Sequence, residues 1–426
     1  MGAAPAEART AVEAVWRIES ARLVAGLARL VRDVGLAEDL AQDALVAALE
    51  AWPRTGIPDN PGAWLMATAK NRAIDLSRRA SNYERKREEI AHEVGLMMAM
   101  ESASPAAAAD DEVGDDLLAL MFTCCHPALS TEARVALTLR LLGGLTTAEI
   151  ARAFLVGEPT VAQRLTRAKR TLREVRADFE VPVGSALRAR LPDVLEVVYL
   201  IFNEGYAASS GERWVRTELC EEALRLGRIL ARLAPAEPEA HGLIALLEIQ
   251  ASRLAARLGP SGEPILLLDQ DRSRWDPLLI VRGVAALKRA EELPAPVGPY
   301  GLQAAIAACH ARALRPEDTD WVRIAALYEA LAALSPSPVV ELNRAVAVSM
   351  AFGAEIGLAL LERIAAEPAL RDYHLLPSVR GDLLARLGRG EEAAAEFRRA
   401  ASLTENEPER ALLLRRAADS TRPRSS

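Results

Sequence analysis

Apolar residues recur every three to four positions along most of the chain, which is the period of an amphipathic α-helix. The first helical stretch runs from about Glu13 to Arg87, and a second runs from Leu117 to about Phe179. Between Trp52 and Trp64 three prolines and two glycines interrupt the pattern, so a loop is predicted there. No alternating strand pattern stands out, and an all-α fold is predicted.

Changes of composition predict the domain organisation. The segment Glu101–Asp116 is rich in Ala, Ser and Asp and is typical of a flexible linker, and Val181–Ser185 indicates another boundary. We therefore predict a helical domain over 10–90, a linker over 91–116, a second helical domain over 117–180 and a long helical region over 186–420.

The last hundred residues indicate helical repeats. Ala345–Ile364 and Gly381–Ala400 each read as a helix, a glycine turn and a second helix, with Gly353 and Gly388 in matching places. Their spacing is near the tetratricopeptide period of about 34 residues. A tetratricopeptide-like domain is therefore predicted at the C-terminal end.

Composition narrows the class of protein. Half the residues are apolar, and the four cysteines form no disulfide framework, which suits a reducing compartment. The N-terminus has no signal-peptide core, and no apolar run approaches the ~20 residues of a membrane span, so a cytoplasmic protein without a membrane partner is expected. The net charge of −7 argues against nonspecific polyanion binding by the whole surface, but local patches decide contact with DNA.

One local patch is basic and follows helix-turn-helix signals. Thr146 and Glu149 fit a capping box, Gly157 fits a turn, and Pro159 suits the start of the next helix. Helical geometry then separates an apolar face from a polar face. The apolar face contains Val161, Leu165, Ala168 and Leu172, and the polar face contains Thr160, Gln163, Arg164, Arg167 and Thr171. An ordinary surface helix with a solvated face is the alternative, but the coincidence of cap, turn and polarity favours helix-turn-helix.

Two further stretches carry candidate binding residues. Gly35–Trp52 places an acidic cluster on neighbouring helical turns. This indicates either a protein-docking face or acids that only interact favourably with the dipole of their own helix. Asn60–Arg87 combines Trp64 with basic residues, a combination that suits capture of a single-stranded base. The alternatives are a core tryptophan and a solvated helix end.

Together the three stretches resemble an RNA polymerase sigma factor of the extracytoplasmic-function (ECF) type, which belongs to the sigma-70 family. The E-D-x-x-Q-D run of Glu38–Asp43, the P-x-x-W-L run of Pro61–Leu65 and the N-x-x-x-D-x-x-R-R run of Asn71–Arg79 are similar to sigma region 2. Leu117–Phe179 is similar to sigma region 4. The long remainder resembles the helical extension of a subgroup with tetratricopeptide-like C-termini.

The resemblance implies a role for each matching residue. Core RNA polymerase would be bound by Glu38, Asp39, Gln42 and Asp43. The −10 element of promoter DNA would be bound by Asp59, Asn60, Trp64, Asn71, Arg72, Arg78 and Arg79. The −35 element would be bound by Thr160, Gln163, Arg164, Arg167, Lys169 and Arg170. The extension would modulate activity, through a protein or peptide partner of its own.

No catalytic, cofactor or metal site is predicted. The acids of Leu266–Asp276 lack the glycine and later acid of a calcium loop, and the adjacent cysteines of Thr123–Pro127 lack the spacing of a zinc site. The expected function is therefore promoter-specific initiation by a non-enzymatic factor. The alternatives are a helix-turn-helix regulator that does not bind polymerase core, and a helical scaffold for which DNA contact is secondary.

Overall fold

The computed structural model describes residues 5–81, 116–154, 156–207, 210–211, 214–260 and 262–421. The chain divides into two compact units, Met1–Val197 and Val198–Ser426. The predicted linker over 91–116 lies outside the described residues apart from Asp116, which begins a helix. No helix in the described ranges is long and apolar enough to cross a membrane.

The first unit is built from helices. In chain order they are α1 (Pro5–Val31), α2 (Val34–Thr55), α3 (Pro61–Ser81), α4 (116–124), α5 (Thr131–Leu141), α6 (Thr147–Ala153), α7 (Glu158–Glu174) and the first part of α8 (Gly184–Tyr206). Helices α1, α2 and α3 pack on one another, as do α5, α6 and α7, so each predicted sigma-like region has its own helical core.

The loop predicted between Trp52 and Trp64 is shorter than its sequence predicts. We expected Pro53 to end the helix, but α2 continues through it to Thr55, and Gly56 then ends the helix with a φ of 83°. Trp52 is buried, and this anchors the last turn of α2. Near a helix end proline costs little more than one backbone hydrogen bond, which the burial of an indole can offset.

The second unit continues as a series of helices. They are the end of α8, then α9 (Thr217–Leu233), α10 (Pro238–Ala251), α11 (Pro277–Glu292), α12 (Pro299–Arg312), α13 (Trp321–Leu334), α14 (Pro338–Phe352), α15 (Ala354–Ile364), α16 (Leu375–Arg386), α17 (Gly390–Leu403) and α18 (Glu407–Ser420). The described ranges also contain a two-residue parallel pair, β1 (Ser210–Gly211) with β2 (Glu405–Asn406), and an isolated bridge between Leu258 and Pro264. The all-α prediction is confirmed.

Neighbouring helices of the second unit bury small cores between them. One core joins Leu246, Leu287 and Ala304, and another joins Leu384, Phe397 and Leu413. The predicted turn glycines lie where the chain reverses: Gly353 connects α14 to α15 and Gly388 precedes α17. Their φ values of 111° and 78° are costly for other residues. Each helix of this unit packs mainly on the helices next to it in sequence, which is typical of a helical-repeat domain.

Candidate nucleic-acid interface

The turn between α6 and α7 begins with the capping box that the sequence predicts. The Thr146 hydroxyl accepts a hydrogen bond from the Glu149 backbone N–H at 3.2 Å, and the Glu149 carboxylate accepts one from the Thr146 N–H at 2.7 Å. Gly157 is the N-cap of α7, and Pro159 is in its first turn. Two of the donors that start α6 are thereby satisfied, which fixes where this helix begins.

Helix α7 separates its two faces as its periodicity predicts. Its buried residues are Val161, Leu165, Ala168 and Leu172. Its exposed residues include Thr160, Gln163, Arg167 and Arg170, and Arg164 is half-buried. The apolar side packs against α5 and α6, so the polar side is free to meet a ligand. Hydroxyl, amide and guanidinium groups in this arrangement can contact base edges and phosphates.

Lys169 of α7 is paired with an acid of α2. Its ammonium forms an ion pair with Glu38 of α2, and Arg140 of α5 donates to the same carboxylate at 2.6 Å. Only 4 % of Glu38 is exposed. Burial raises the pKa of Glu38, but Lys169 and Arg140 outweigh that effect and leave it lowered. In this conformation a predicted polymerase-binding acid and a predicted phosphate-binding lysine neutralise each other.

A second ion pair joins the same two helices. Asp33 caps α2 by accepting from the Leu36 N–H at 3.0 Å, and its other oxygen accepts from Arg173 of α7 at 2.6 Å. Burial raises the pKa of Asp33, but the hydrogen bond from Arg173, the hydrogen bonds from the backbone and the charge of Arg173 together outweigh burial and leave the pKa lowered. Asp33, Arg140 and Arg173 are not among the site residues that the sequence predicts. No local signal relates them, since their partners are distant along the chain.

The remaining acidic residues of α2 are more accessible. Asp39 and Asp43 are exposed, and Gln42 is half-buried and donates to Glu38 at 2.8 Å. Asp43 also lies 3.0 Å from a guanidinium nitrogen of Arg72, on α3. The predicted polymerase-binding set is therefore divided: two carboxylates face outward, and the carboxylate of Glu38 is enclosed.

The predicted base-capture residues lie at the start of α3. Asn60 caps this helix by accepting from the Ala63 N–H at 3.0 Å, and both Asn60 and Asp59 are exposed. Trp64 is half-buried, and its ring meets that of Trp52 edge-to-face, with centroids 5.4 Å apart. Trp64 thus packs on the core with part of its ring and leaves the rest accessible for stacking.

Further along α3, the predicted basic residues lie on consecutive turns. Asn71 is exposed and Arg72 is half-buried. Arg78 and Arg79 are within the helix, but their side chains are outside the described part of the chain.

Two motifs of the sequence invite a metal interpretation. Cys124 and Cys125 are buried, and burial raises the pKa of the Cys125 thiol to about 12. Asp271 and Asp276 cap the helices that follow them, through hydrogen bonds to the Ser273 and Leu278 backbone N–H groups. Their positions are explained by capping of adjacent helices.

Comparisons with known proteins agree with this organisation. Residues 18–83 match the family model for sigma-70 region 2, and residues 119–172 match that for sigma-70 region 4. Residues 190–291 match a family of unknown function, DUF6596.

Three relatives cover different parts of the chain. It is similar to the ECF RNA polymerase sigma factor SigL of Mycobacterium tuberculosis, with 32 % identity over 173 residues, 40 % of this chain and 92 % of SigL. It is 30 % identical over 167 residues to the probable ECF RNA polymerase sigma factor SigI of the same species, which covers 39 % of this chain and 55 % of SigI. It is 45 % identical over 391 residues to the uncharacterized protein R00370 of Rhizobium meliloti, 91 % of this chain and 90 % of that protein.

The match to sigma-70 region 2 precedes the match to region 4 along the chain, and the similarity to SigL extends over nearly all of SigL. The chain therefore belongs to the ECF RNA polymerase sigma factors of the sigma-70 family and carries a long helical C-terminal extension.

Proposed function

We propose that this sigma factor binds core RNA polymerase through α2 and directs it to promoters that it recognises at two DNA elements. The observation that carries the proposal is the combination of one exposed acidic surface with one exposed basic surface in the same unit. Asp39 and Asp43 belong to the first surface, and the polar side of α7 forms the second. A regulator that reads DNA without polymerase needs only the second.

The −35 element is assigned to α7. This helix is 17 residues long, about 25 Å, which is enough to cross the major groove with several residues in contact. Thr160, Gln163, Arg164 and Arg167 are placed to contact base edges, and Arg170 to contact phosphate. The half-buried Arg164 is the more constrained of the two predicted base-reading arginines, which favours a defined contact geometry.

The −10 element is assigned to the start of α3 and the basic residues that follow. The half-buried Trp64 lies in the first turn of α3, which the exposed Asn60 caps. An unpaired base can stack on an aromatic ring while neighbouring polar groups bind its edge. Asn71, Arg72, Arg78 and Arg79 would then contact the element and its backbone.

Core binding has a direct test. Replacing Asp39 and Asp43 together by lysine is expected to weaken binding to core RNA polymerase about tenfold or more, because charge complementarity across the interface becomes repulsion. The dissociation constant would be measured by fluorescence anisotropy with labelled sigma factor.

The matched control for that test is Glu50→Lys, which makes the same change at an exposed position further along α2. The control should bind as the wild type does. An unchanged affinity for the double variant would refute the docking surface, and failure of the wild type to bind core at all would favour the regulator without polymerase contact.

The ion pairs between α2 and α7 have a functional consequence. While Glu38 and Lys169 bind each other, Glu38 cannot contact polymerase and Lys169 cannot contact a DNA phosphate. We expect Lys169→Glu to separate α2 from α7, because the variant places a second negative charge beside the buried Glu38. Breaking a buried pair costs about 3 kcal/mol or more, which is about a hundredfold in the population of the closed arrangement.

Fluorescence transfer between labels at Arg54→Cys and Arg170→Cys would measure the separation, since both positions are exposed and the native cysteines are buried. The control is Arg167→Glu, an exposed change of the same kind on α7. Because the pKa of Glu38 is lowered, Glu38 stabilises the closed arrangement fully above pH 4.5, which is its ordinary pKa. This stabilisation is lost as the pH falls through the lowered pKa of the folded protein. Equal transfer in Lys169→Glu and the wild type would contradict the role of this pair.

The extension is proposed to modulate activity. Its stacked helices are of the kind that presents concave surfaces to a ligand or partner. The match to a family of unknown function covers residues 190–291, which include its first helices.

A further inference from the structure

The C-terminal extension contains a cavity of about 530 Å³ that is partly open to solvent. It is lined by the end of α8 together with residues of α10, α12, α13 and α14. Four aromatic rings, those of Tyr199, Phe202, Tyr206 and Tyr328, form part of its wall. The volume is within the range of about 300–1,000 Å³ that small-molecule sites occupy.

The charge of the cavity wall is entirely positive. Arg253 lines it, whereas no aspartate or glutamate is among the lining residues. Only 9 % of Arg253 is exposed. Its Nη2 donates to the Tyr206 hydroxyl at 2.5 Å and to the side chain of Gln250, and its Nε and Nη1 have no acceptor among the described residues.

Arg257 adds to this positive potential, whereas His310 is neutral. Arg257 is 7 % exposed, lies 3.7 Å from the centroid of the Tyr206 ring and donates to the Tyr206 carbonyl at 3.0 Å. Neither Arg253 nor Arg257 forms an ion pair within the described part of the chain. His310 also lines the cavity, and burial, followed by repulsion from Arg253 and Arg272, lowers its pKa to about 3.

A buried guanidinium without a carboxylate is costly, because arginine stays protonated and loses its hydration. Contacts with the Tyr206 and Trp275 rings, 5.8 Å and 5.6 Å from Arg253, compensate in part. The carboxylate of Glu204, on the same helix as Tyr206, binds Arg216. An anion that entered the cavity could accept a charge-assisted hydrogen bond from Nε or from Nη1 of Arg253, since neither nitrogen has an acceptor among the described residues.

We propose that this cavity binds a small organic acid with a planar apolar body. Its carboxylate would bind Arg253, and its body would lie among Phe202, Tyr206 and Tyr328. Asn203 and Gln303 would supply hydrogen bonds to further polar groups. A free inorganic anion would leave most of this aromatic cavity unfilled. The proposal concerns a site within the extension and does not rest on the assignment of promoter contacts.

The probe is 5-fluoroindole-3-acetate, and its uncharged counterpart is 5-fluoroindole-3-acetamide. Binding of each to the full chain would be measured from the broadening of its ¹⁹F signal. We expect the acid to bind at least about tenfold more tightly than the amide, and Arg253→Gln to remove that preference. Arg274→Gln, which changes an exposed arginine of the same region, should bind as the wild type does.

A second variant keeps the test decisive if Arg253→Gln does not fold. Asn343 is an exposed member of the lining, and Asn343→Trp would fill part of the cavity without disturbing a buried side chain. It should lower affinity for the acid about tenfold while circular dichroism remains unchanged. The proposal is overturned if neither probe binds the wild type, if acid and amide bind equally, or if folded variants bind the acid as well as the wild type does.

Discussion

Replacing Arg164 and Arg167 together by alanine is expected to abolish promoter-directed transcription while the protein remains folded. Each arginine that binds a base in the major groove contributes about 1–3 kcal/mol of discrimination. Losing both should therefore reduce specific initiation by about thirtyfold to ten-thousandfold. Neither side chain belongs to the apolar face of α7, and neither has an ion pair within the described ranges, so little stability depends on them.

The measurement is run-off transcription with purified core enzyme, together with thermal unfolding of the variant. Arg188→Ala is the matched control, since Arg188 is exposed on α8 and is not one of the predicted DNA-binding residues. The control should initiate at the wild-type level. Promoter selection retained by the double variant would refute the −35 assignment, provided that its melting temperature matches the wild-type value.

Replacing Trp64 by alanine should impair promoter opening more than closed-complex binding. Stacking of one base on an aromatic side chain is worth about 1–3 kcal/mol, so the open complex should be about five- to 150-fold less populated. Permanganate reactivity of thymines in the −10 element would report opening. A gel-shift assay at low temperature would report the closed complex.

Trp64 also packs against Trp52, so its core contribution must be separated from base capture. Trp64→Phe keeps an aromatic surface and should recover much of the opening. Trp52→Phe changes the buried member of the pair and should lower stability with little effect on opening. Permanganate footprints of Trp64→Ala that match the wild type would count against base capture.

The local features of the DNA-facing helices could be predicted because their causes lie within a few residues. The capping box of Thr146 and Glu149 and the buried face of α7 follow from spacing alone. The turn glycines Gly353 and Gly388 are equally local. Pro53 shows the limit of such rules, since the tertiary burial of Trp52 keeps α2 intact beyond a residue that favours its end.

The features that could not be predicted depend on contacts between distant parts of the chain. Glu38 reads as an exposed docking acid, yet Arg140, 102 positions away, and Lys169 enclose it. The cavity at Arg253 likewise combines residues from five helices, and nothing near Arg253 in sequence indicates that its charge is buried without a carboxylate. The site residues therefore stay predictions that the experiments above must test.

Transcription from pooled genomic fragments by purified core RNA polymerase, with and without this chain, tests the central claim most directly. Sequencing the transcript 5′ ends should reveal a set that appears only when the chain is added, preceded by a shared pair of −35 and −10 elements. That set should disappear with the Arg164→Ala, Arg167→Ala variant. Identical 5′ ends in the presence and absence of the chain would contradict its assignment as a promoter-specific initiation factor.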